Sequence, residues 1–132
     1  MRKFVVVFLM ALSVAGYAQD TASAEELEEV GDVAPDFPGG MEAFFTYIRD
    51  HKNYPEEAEQ NQVKGKVFVS FIIDATGRVE EESVAVIKGL GYGCDQEAVR
   101  LIKNSPRWTP GRISETNKKV PTRMVLPIVF GQ

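Results

Sequence analysis

Hydrophobic residues in the first half of the folded region recur with the period of an α-helix. Four large apolar side chains share the i, i+3, i+4, i+7 spacing of one helix face: Met41, Phe44, Phe45 and Ile48. This spacing predicts an amphipathic helix that begins after Pro38-Gly39-Gly40. A short second helix is predicted in "PEEAEQN", because Pro55 suits a first helical turn, where its missing N–H costs nothing.

The next apolar segment has the period of a β-strand. In "KGKVFVSFII" one phase is entirely apolar, with Val67, Val69, Phe71 and Ile73. Phe68 and Ile72 make the opposite phase apolar too, which predicts a central strand rather than an edge strand. Asp74 to Gly77 form the predicted turn. Residues 79–87 are predicted to return as a second strand, with Glu80 to Glu82 on a solvated rim.

The last segment, "KKVPTRMVLPIVF", predicts a third strand. One phase contains Val120, Thr122, Met124, Leu126, Ile128 and Phe130. The other phase contains both prolines, Pro121 and Pro127, so both missing N–H groups point to the same side of the strand. A central strand would lose two ladder hydrogen bonds there, whereas an edge strand loses none if that side faces outward. The final strand is therefore predicted to lie at an edge, paired with the first strand.

These elements predict a small α+β fold with a three-stranded antiparallel sheet in the order second-first-third and helices on one face. A helix from Asp95 to about Asn104 supplies the crossover, with Asp95 as its N-cap. Its apolar stripe is formed by Cys94, Ala98, Leu101 and Ile102. Trp108 follows at the start of an extended segment, and Pro110-Gly111 turns the chain.

Residues 1–18 have the pattern of a secretory signal peptide. Arg2 and Lys3 precede a short apolar segment, and small residues precede the predicted cleavage between Ala18 and Gln19. The apolar segment is shorter than the ~20 residues that a membrane span needs. We therefore expect an exported, periplasmic protein. An uncleaved N-terminus anchored in the inner membrane is the alternative, and only that form would contact a membrane.

Residues 19–36 are predicted to form an acidic, disordered lead-in to a domain over residues 37–132. The lead-in carries seven acidic side chains, no basic one and no aromatic residue, so it buries too little apolar surface to offset its ordering entropy. The remaining 96 residues carry twelve acidic and thirteen basic side chains. Within the lead-in, Asp20-Thr21-Ala22 resembles the short acceptor of general O-glycosylation in some Gram-negative lineages.

Side chains suited to catalysis or metal binding are sparse. His51 is the only histidine and falls near a polar helix terminus, and Cys94 is the only cysteine. Because Cys94 lies on an apolar stripe, we interpret it as a small buried hydrophobe rather than a reactive thiol. No metal-ligand or phosphate-loop pattern occurs, and the near-neutral domain is far from a nucleic-acid footprint. The sequence therefore predicts a protein that is not an enzyme and binds no cofactor, metal or nucleic acid.

Four segments occur in a fixed order along residues 36–132. They are "FPGGMEAFFTYI", "YPEEAEQNQVKGKVFVSFIIDATGRVEE", "GLGYGCDQEAVRLIKNSPRWTPGR" and "VLPIVF". Together they resemble the TonB C-terminal domain family, in the form with an FPGG lead-in. The residues that match the family's motifs, and to which the resemblance gives a structural role, are Tyr54, Pro55, Gly65, Asp74, Gly77, Asp95, Glu97, Ala98, Trp108, Pro110 and Gly111.

The resemblance implies a partner as well as a fold. In this family the final strand can receive the TonB box, a peptide segment of outer-membrane receptors, by β-augmentation. The edge predicted from Pro121 and Pro127 coincides with that role. Between the prolines, Arg123 and Val125 are predicted to present intact N–H and C=O groups outward. The predicted partner-binding residues are Val120, Thr122, Arg123, Met124, Val125 and Leu126.

The N-terminal region departs from a full TonB energy transducer. Such a transducer has an uncleaved anchor that meets an ExbB–ExbD motor and a long proline-rich spacer, whereas the 18-residue lead-in here contains one proline, Pro35. The leading interpretation is therefore a periplasmic module that binds peptide segments of envelope proteins and is associated with TonB-dependent transport. A short, membrane-anchored transducer is one alternative. A homodimeric structural or regulatory module with paired free edges is another.

Overall fold

The computed structural model describes residues 30–131 as three helices, one turn of 3-10 helix and five strands. No helix within this range is long and apolar enough to cross a bilayer. The elements are α1 (Gly40–His51), α2 (Glu56–Gln60), β1 (Gly65–Ile73), the 3-10 turn (Glu81–Ser83), β2 (Ala85–Lys88), α3 (Cys94–Lys103), β3 (Arg112–Ile113), β4 (Lys118–Lys119) and β5 (Thr122–Phe130).

The main sheet has the order β2-β1-β5, and both pairings are antiparallel. This confirms the predicted order and the central place of the strand that is apolar on both faces. A second sheet, β3-β4, was not predicted, because its strands are two residues long and mostly polar. The predicted return strand over 79–87 is wrong in part. Val79 bridges Ile73, but the chain then forms the 3-10 turn and resumes pairing only in β2.

One face of β1 forms the centre of the hydrophobic core. Val67, Val69, Phe71 and Ile73 are fully buried there. Helix α1 adds Phe44 and Ile48 to this core, and α3 adds Cys94, Ala98, Leu101 and Ile102. The predicted apolar face of α1 is correct only in these two positions. Met41 is 36% exposed and Phe45 is 47% exposed, so the second pair of apolar side chains faces solvent.

Trp108 joins the aromatic part of the core. It is 2% exposed, and its ring centroid lies 5.2 Å from that of Phe37, 5.7 Å from that of Phe44 and 5.9 Å from that of Phe71. Its indole N–H donates to the Ser105 hydroxyl at 3.2 Å, which satisfies the polar atom of a buried ring. Trp108 therefore connects α1, β1 and the segment that follows α3.

The turn after β1 is fixed to Trp108 through Gly77. The Trp108 N–H donates to the Gly77 carbonyl at 2.7 Å, and a Cβ atom at Gly77 would lie 2.0 Å from the Trp108 carbonyl oxygen. Gly77 also has a φ of +94°, which only glycine adopts without cost. The carboxylate of Asp74 closes the same turn by accepting hydrogen bonds from the N–H groups of Thr76 and Arg78.

The start of α3 differs from its prediction. The helix begins at Cys94, and Gly93 rather than Asp95 occupies the N-cap position. The Asp95 carboxylate instead accepts hydrogen bonds from the N–H groups of Leu90 and Gly91, at 2.8 and 3.2 Å. Asp95 therefore holds the glycine-rich loop that precedes the helix, because its side chain points back along the chain.

The end of the lead-in is ordered, contrary to the prediction of disorder through residue 36. Val33 and Asp36 form antiparallel bridges with Arg112 and Thr109, and the Asp32 carboxylate accepts hydrogen bonds from the N–H and hydroxyl of Ser114. This anchoring could not be predicted from local sequence patterns, since the partners lie more than 70 residues away. The signal peptide, the Ala18–Gln19 cleavage position, Asp20-Thr21-Ala22 and the rest of the lead-in fall outside the described residues.

We expect Trp108→Ala to lower the free energy of unfolding by about 3–5 kcal/mol, the usual cost of truncating a buried tryptophan. The loss is large because the side chain packs on three other aromatic rings in the core. Urea unfolding followed by circular dichroism measures the effect. Tyr92→Ala is a matched control, because Tyr92 is 46% exposed, and it should change stability by less than about 0.5 kcal/mol. Equal effects of the two substitutions would contradict this account of the core.

Candidate functional site

Strand β5 is a long edge strand. Its nine residues pair with β1 in continuous register, from Gly65 opposite Phe130 to Ile73 opposite Thr122. No strand within residues 30–131 pairs with its other side. An edge of this length presents backbone groups that can pair with another chain.

The pairing of β1 shows which backbone groups of β5 face outward. Ile72 directs both its N–H and its C=O away from β5, since the N–H donates to the Ser83 hydroxyl and the C=O accepts from the Glu80 N–H. Its partner on β5, Arg123, therefore forms a non-hydrogen-bonded pair with it, and the N–H and C=O of Arg123 point away from the sheet. By alternation, the same holds for residues 125, 127 and 129.

The outward groups differ along the strand. Arg123 and Val125 each offer an N–H and a C=O, and no backbone group of residues 30–131 outside the β1 ladder bonds to them. Pro127 offers only its C=O. The C=O of Val129 already accepts a hydrogen bond of 2.6 Å from Lys52 Nζ. The part of the edge with complete backbone pairing capacity is thus short and lies between the two prolines.

The six predicted partner-binding residues do not share one position. Thr122, Met124 and Leu126 belong to the phase that pairs with β1, and Met124 and Leu126 pack against the core. Arg123 and Val125 belong to the outward phase, and Val125 is 48% exposed. The prediction is wrong for Val120, which precedes β5, is 1% exposed and donates its N–H to the Gly111 carbonyl.

The side chain of Arg123 lies on the face of the sheet opposite the core. Its guanidinium donates to the hydroxyl of Ser70, at 3.1 Å, and Ser70 is buried on the central strand. This contact holds the long side chain across the sheet surface. The backbone groups of Arg123 at the edge are therefore left uncovered by its own side chain.

An open groove adjoins the C-terminal end of the edge, and sequence reasoning missed it. Its volume is about 570 Å³, and it lies between the second half of α1 and the paired ends of β1 and β5. Partial burial lowers the pKa of Lys52, whose ammonium also lies 5.3 Å from the centroid of the Phe130 ring. The lining residues are Phe45, Ile48, Arg49, Lys52, Lys66, Pro127 and Val129.

Several of the motif residues brace the loops around α3. The hydroxyl of Tyr54 donates to the Val63 carbonyl, just before β1. Pro55 lies against Gly93, where an added Cβ atom would be 3.1 Å from the proline ring. Added Cβ atoms would also collide with Leu90 at Gly65 and with Thr122 at Gly111. Ala98 is fully buried. Pro110 follows Thr109, which forms the bridge to Asp36, and precedes Gly111.

Glu97, one of the motif residues, connects α3 to the end of α1. Its carboxylate accepts two hydrogen bonds from Arg100, at 2.6 and 2.8 Å, and one from the Asn53 N–H at 2.7 Å. Arg100 also donates to the His51 carbonyl at 2.9 Å. Partial burial opposes the charged carboxylate, but these hydrogen bonds outweigh it and lower the pKa of Glu97.

The only cysteine and the only histidine have structural surroundings. Cys94 is fully buried, and this burial, with the nearby Asp95 charge, raises the pKa of its thiol. His51 is exposed and contacts the backbone carbonyl of Tyr47, one helical turn earlier. Within residues 30–131 no group of three or more His, Cys, Asp or Glu side chains could hold a metal ion. The distinctive feature of this region is therefore the β5 edge with its groove.

The comparisons agree with the geometry. The family model described as the C-terminal region of the Gram-negative bacterial TonB protein matches residues 50–131. A comparison with curated proteins and another with solved structures each found no match.

We expect Glu97→Gln to weaken the dependence of stability on acid pH. Because the pKa of Glu97 is lowered in the folded state, its contribution is complete above the unfolded value of about 4.3 and is lost as the pH falls. The variant should have a lower melting temperature than wild type at pH 7, and the difference should shrink as the pH falls through the lowered pKa of Glu97. Glu115→Gln, at an exposed site, is the control and should follow wild type. Parallel curves for Glu97→Gln and wild type over the whole pH range would contradict the assignment.

Proposed function

Because the chain belongs to the TonB C-terminal family, we propose that it is a periplasmic binding module that receives an extended peptide along β5. Members of this family are protein-interaction domains associated with the cell envelope, and the family links the chain to TonB-dependent transport. The proposed partner is a TonB-box-like segment of an outer-membrane receptor or another envelope protein. The observation that carries the proposal is the outward direction of the backbone groups of Arg123 and Val125.

The proposed complex uses backbone hydrogen bonds for affinity. Two residues with free N–H and C=O groups supply up to four bonds to an added strand, and each is worth about 0.5–1.5 kcal/mol net. Val125 offers an exposed apolar side chain to the same strand. These magnitudes favour a weak, reversible complex, because binding also costs the ordering of an extended peptide.

The other edge of the sheet supports this choice by comparison. β2 has four residues, and its register with β1 shifts between Phe68 and Val69. A short, irregular strand offers few regularly spaced backbone groups to a partner. β5 has nine residues in unbroken register. Peptide addition is therefore proposed at β5 alone.

We expect Val125→Pro to weaken peptide binding about tenfold or more without unfolding the protein. Proline at this outward position removes one free N–H, as Pro127 already does two residues further along, and leaves the β1 ladder intact. Val125→Thr is the matched control, since it keeps the N–H and nearly the same shape. The measurement is a titration, by NMR amide shifts, with synthetic peptides that span the TonB boxes of receptors from the same organism.

The expected result is a loss of at least about tenfold in affinity for Val125→Pro and of less than about threefold for Val125→Thr. Melting temperatures of both variants should stay close to that of wild type. Unchanged binding by a folded Val125→Pro variant would exclude β5 as the site of strand addition. Failure of every receptor peptide to bind wild type would instead refute the proposed partner class.

The proposed location requires removal of the N-terminal segment. We expect the intact mass of protein purified from its native envelope to correspond to a chain that begins at Gln19, recovered in the soluble periplasmic fraction. Any added mass from glycosylation at Thr21 would appear in the same spectrum. A full-length chain recovered from the inner membrane would favour the membrane-anchored transducer over the free binding module.

A further inference from the structure

The groove beside β5 combines apolar walls with three cationic side chains. Phe45, 47% exposed, and the ring of Pro127 provide apolar surface. Three side chains bring positive charge to the same groove: Arg49 on α1, Lys52 directly after α1 and Lys66 on β1. A groove of this composition suits a ligand that is apolar at one point and negatively charged at the next.

The charges of the groove are poorly compensated by the domain itself. Among residues 30–131, Lys52 and Lys66 form no ion pair. Arg49 reaches a carboxylate only at its sequence neighbour Asp50, at 3.5 Å, and both side chains are more than half exposed. Such an exposed pair is worth little and is readily exchanged for another partner. The groove therefore offers a net positive site to an incoming carboxylate.

The side chain of Lys52 is held in one position by contacts with the protein. Its ammonium donates to the Val129 carbonyl and lies over the Phe130 ring, so its position is fixed relative to the end of β5. A fixed donor loses less conformational entropy when it binds an anion than a fully mobile lysine does. This places a positioned charge directly at the end of the edge.

The backbone of β5 determines where a bound peptide reaches the groove. Arg123 and Val125 each offer an outward N–H and an outward C=O. Pro127 has no N–H, and the C=O of Val129 already accepts a hydrogen bond from Lys52. An added strand therefore loses its hydrogen-bonding partners at Pro127. Since Pro127 and Val129 also line the groove, the peptide leaves the edge at the point where the groove begins.

We propose that the peptide bound at β5 carries a carboxylate side chain next to a large apolar one, and that the groove formed by α1 and Pro127 binds this pair. The inference rests on the proposed function and adds a specificity element to it. The backbone of the edge holds any extended segment, whereas the groove selects segments with an acidic and an apolar residue at one end. Arg49, Lys52 and Lys66 are the charges that make this selection.

The test compares four capped octapeptides without terminal charges, each with a Thr-Val-Thr-Val centre. The peptides form two pairs, and the members of each pair differ only in having Glu or Gln beside a Phe residue. These two residues precede the centre in one pair and follow it in the other. An added strand can run in either direction, so only one Glu position meets the groove. Amide shifts of the labelled protein give the affinity and report on residues 123–125 and 129 separately.

For one of the two positions, the Glu peptide should bind about three- to tenfold more tightly than its Gln counterpart at low salt, and the preference should disappear near 1 M salt. The double variant Arg49→Gln/Lys66→Gln should reduce the preference to less than about twofold. Lys103→Gln/Arg107→Gln removes the same charge from residues that do not line the groove and should retain the preference. Lys52 is left unchanged, because its hydrogen bond belongs to the edge itself.

The possible failures are distinguishable. If Glu and Gln peptides bind equally at both positions and Val125→Pro weakens their binding about tenfold or more, the groove plays no part and the proposed edge stands. If the Glu preference survives in Arg49→Gln/Lys66→Gln, these two charges do not make the selection and the inference as stated is overturned. If no peptide binds wild type, strand addition at β5 is refuted and the inference falls with it.

Discussion

The structure depends on the pairing of β1 with β5. β1 is apolar on both faces, so it has to lie in the middle of a sheet, and its nine-residue register with β5 supplies the longer of its two pairings. This register places Ile128 and Phe130 in the core and directs the backbone of Arg123 and Val125 outward. The same interaction that closes the core thus creates the uncovered edge.

An uncovered edge is also a route to aggregation, and the structure restricts it at both ends. Pro121 precedes the strand and Pro127 interrupts its donors, while Lys52 occupies the carbonyl of Val129. These features limit a second strand to a short stretch. The edge can therefore accept a brief extended segment, whereas a long sheet from another molecule would meet missing donors after a few residues.

Much of the fold follows from local patterns. The alternation in β1, the turn at Gly77 and the shared phase of Pro121 and Pro127 are each contained in a short stretch, so the sheet order could be predicted. The groove could not. Lys52, Lys66 and Pro127 are brought together only by the packing of α1 beside the strand ends, and the exposure of Phe45 depends on how α1 is rotated. Val120 was wrongly assigned to the edge because the alternation of apolar residues extends two residues N-terminal of Thr122, where pairing with β1 begins.

The motif residues illustrate how architecture and binding are divided in this domain. Loops and helix ends are held by Tyr54, Asp95 and Glu97, and Trp108 lies in the centre of the core. The binding edge is instead defined by the outward direction of the β5 backbone N–H and C=O groups. The anchored end of the lead-in adds a mechanical consequence. Tension applied to the chain ahead of Val33 would reach its bridge to Arg112, and then that of Asp36 to Thr109, before it reached α1. A pull on the N-terminus would thus load the β3-β4 hairpin, which directly precedes β5, before the helices.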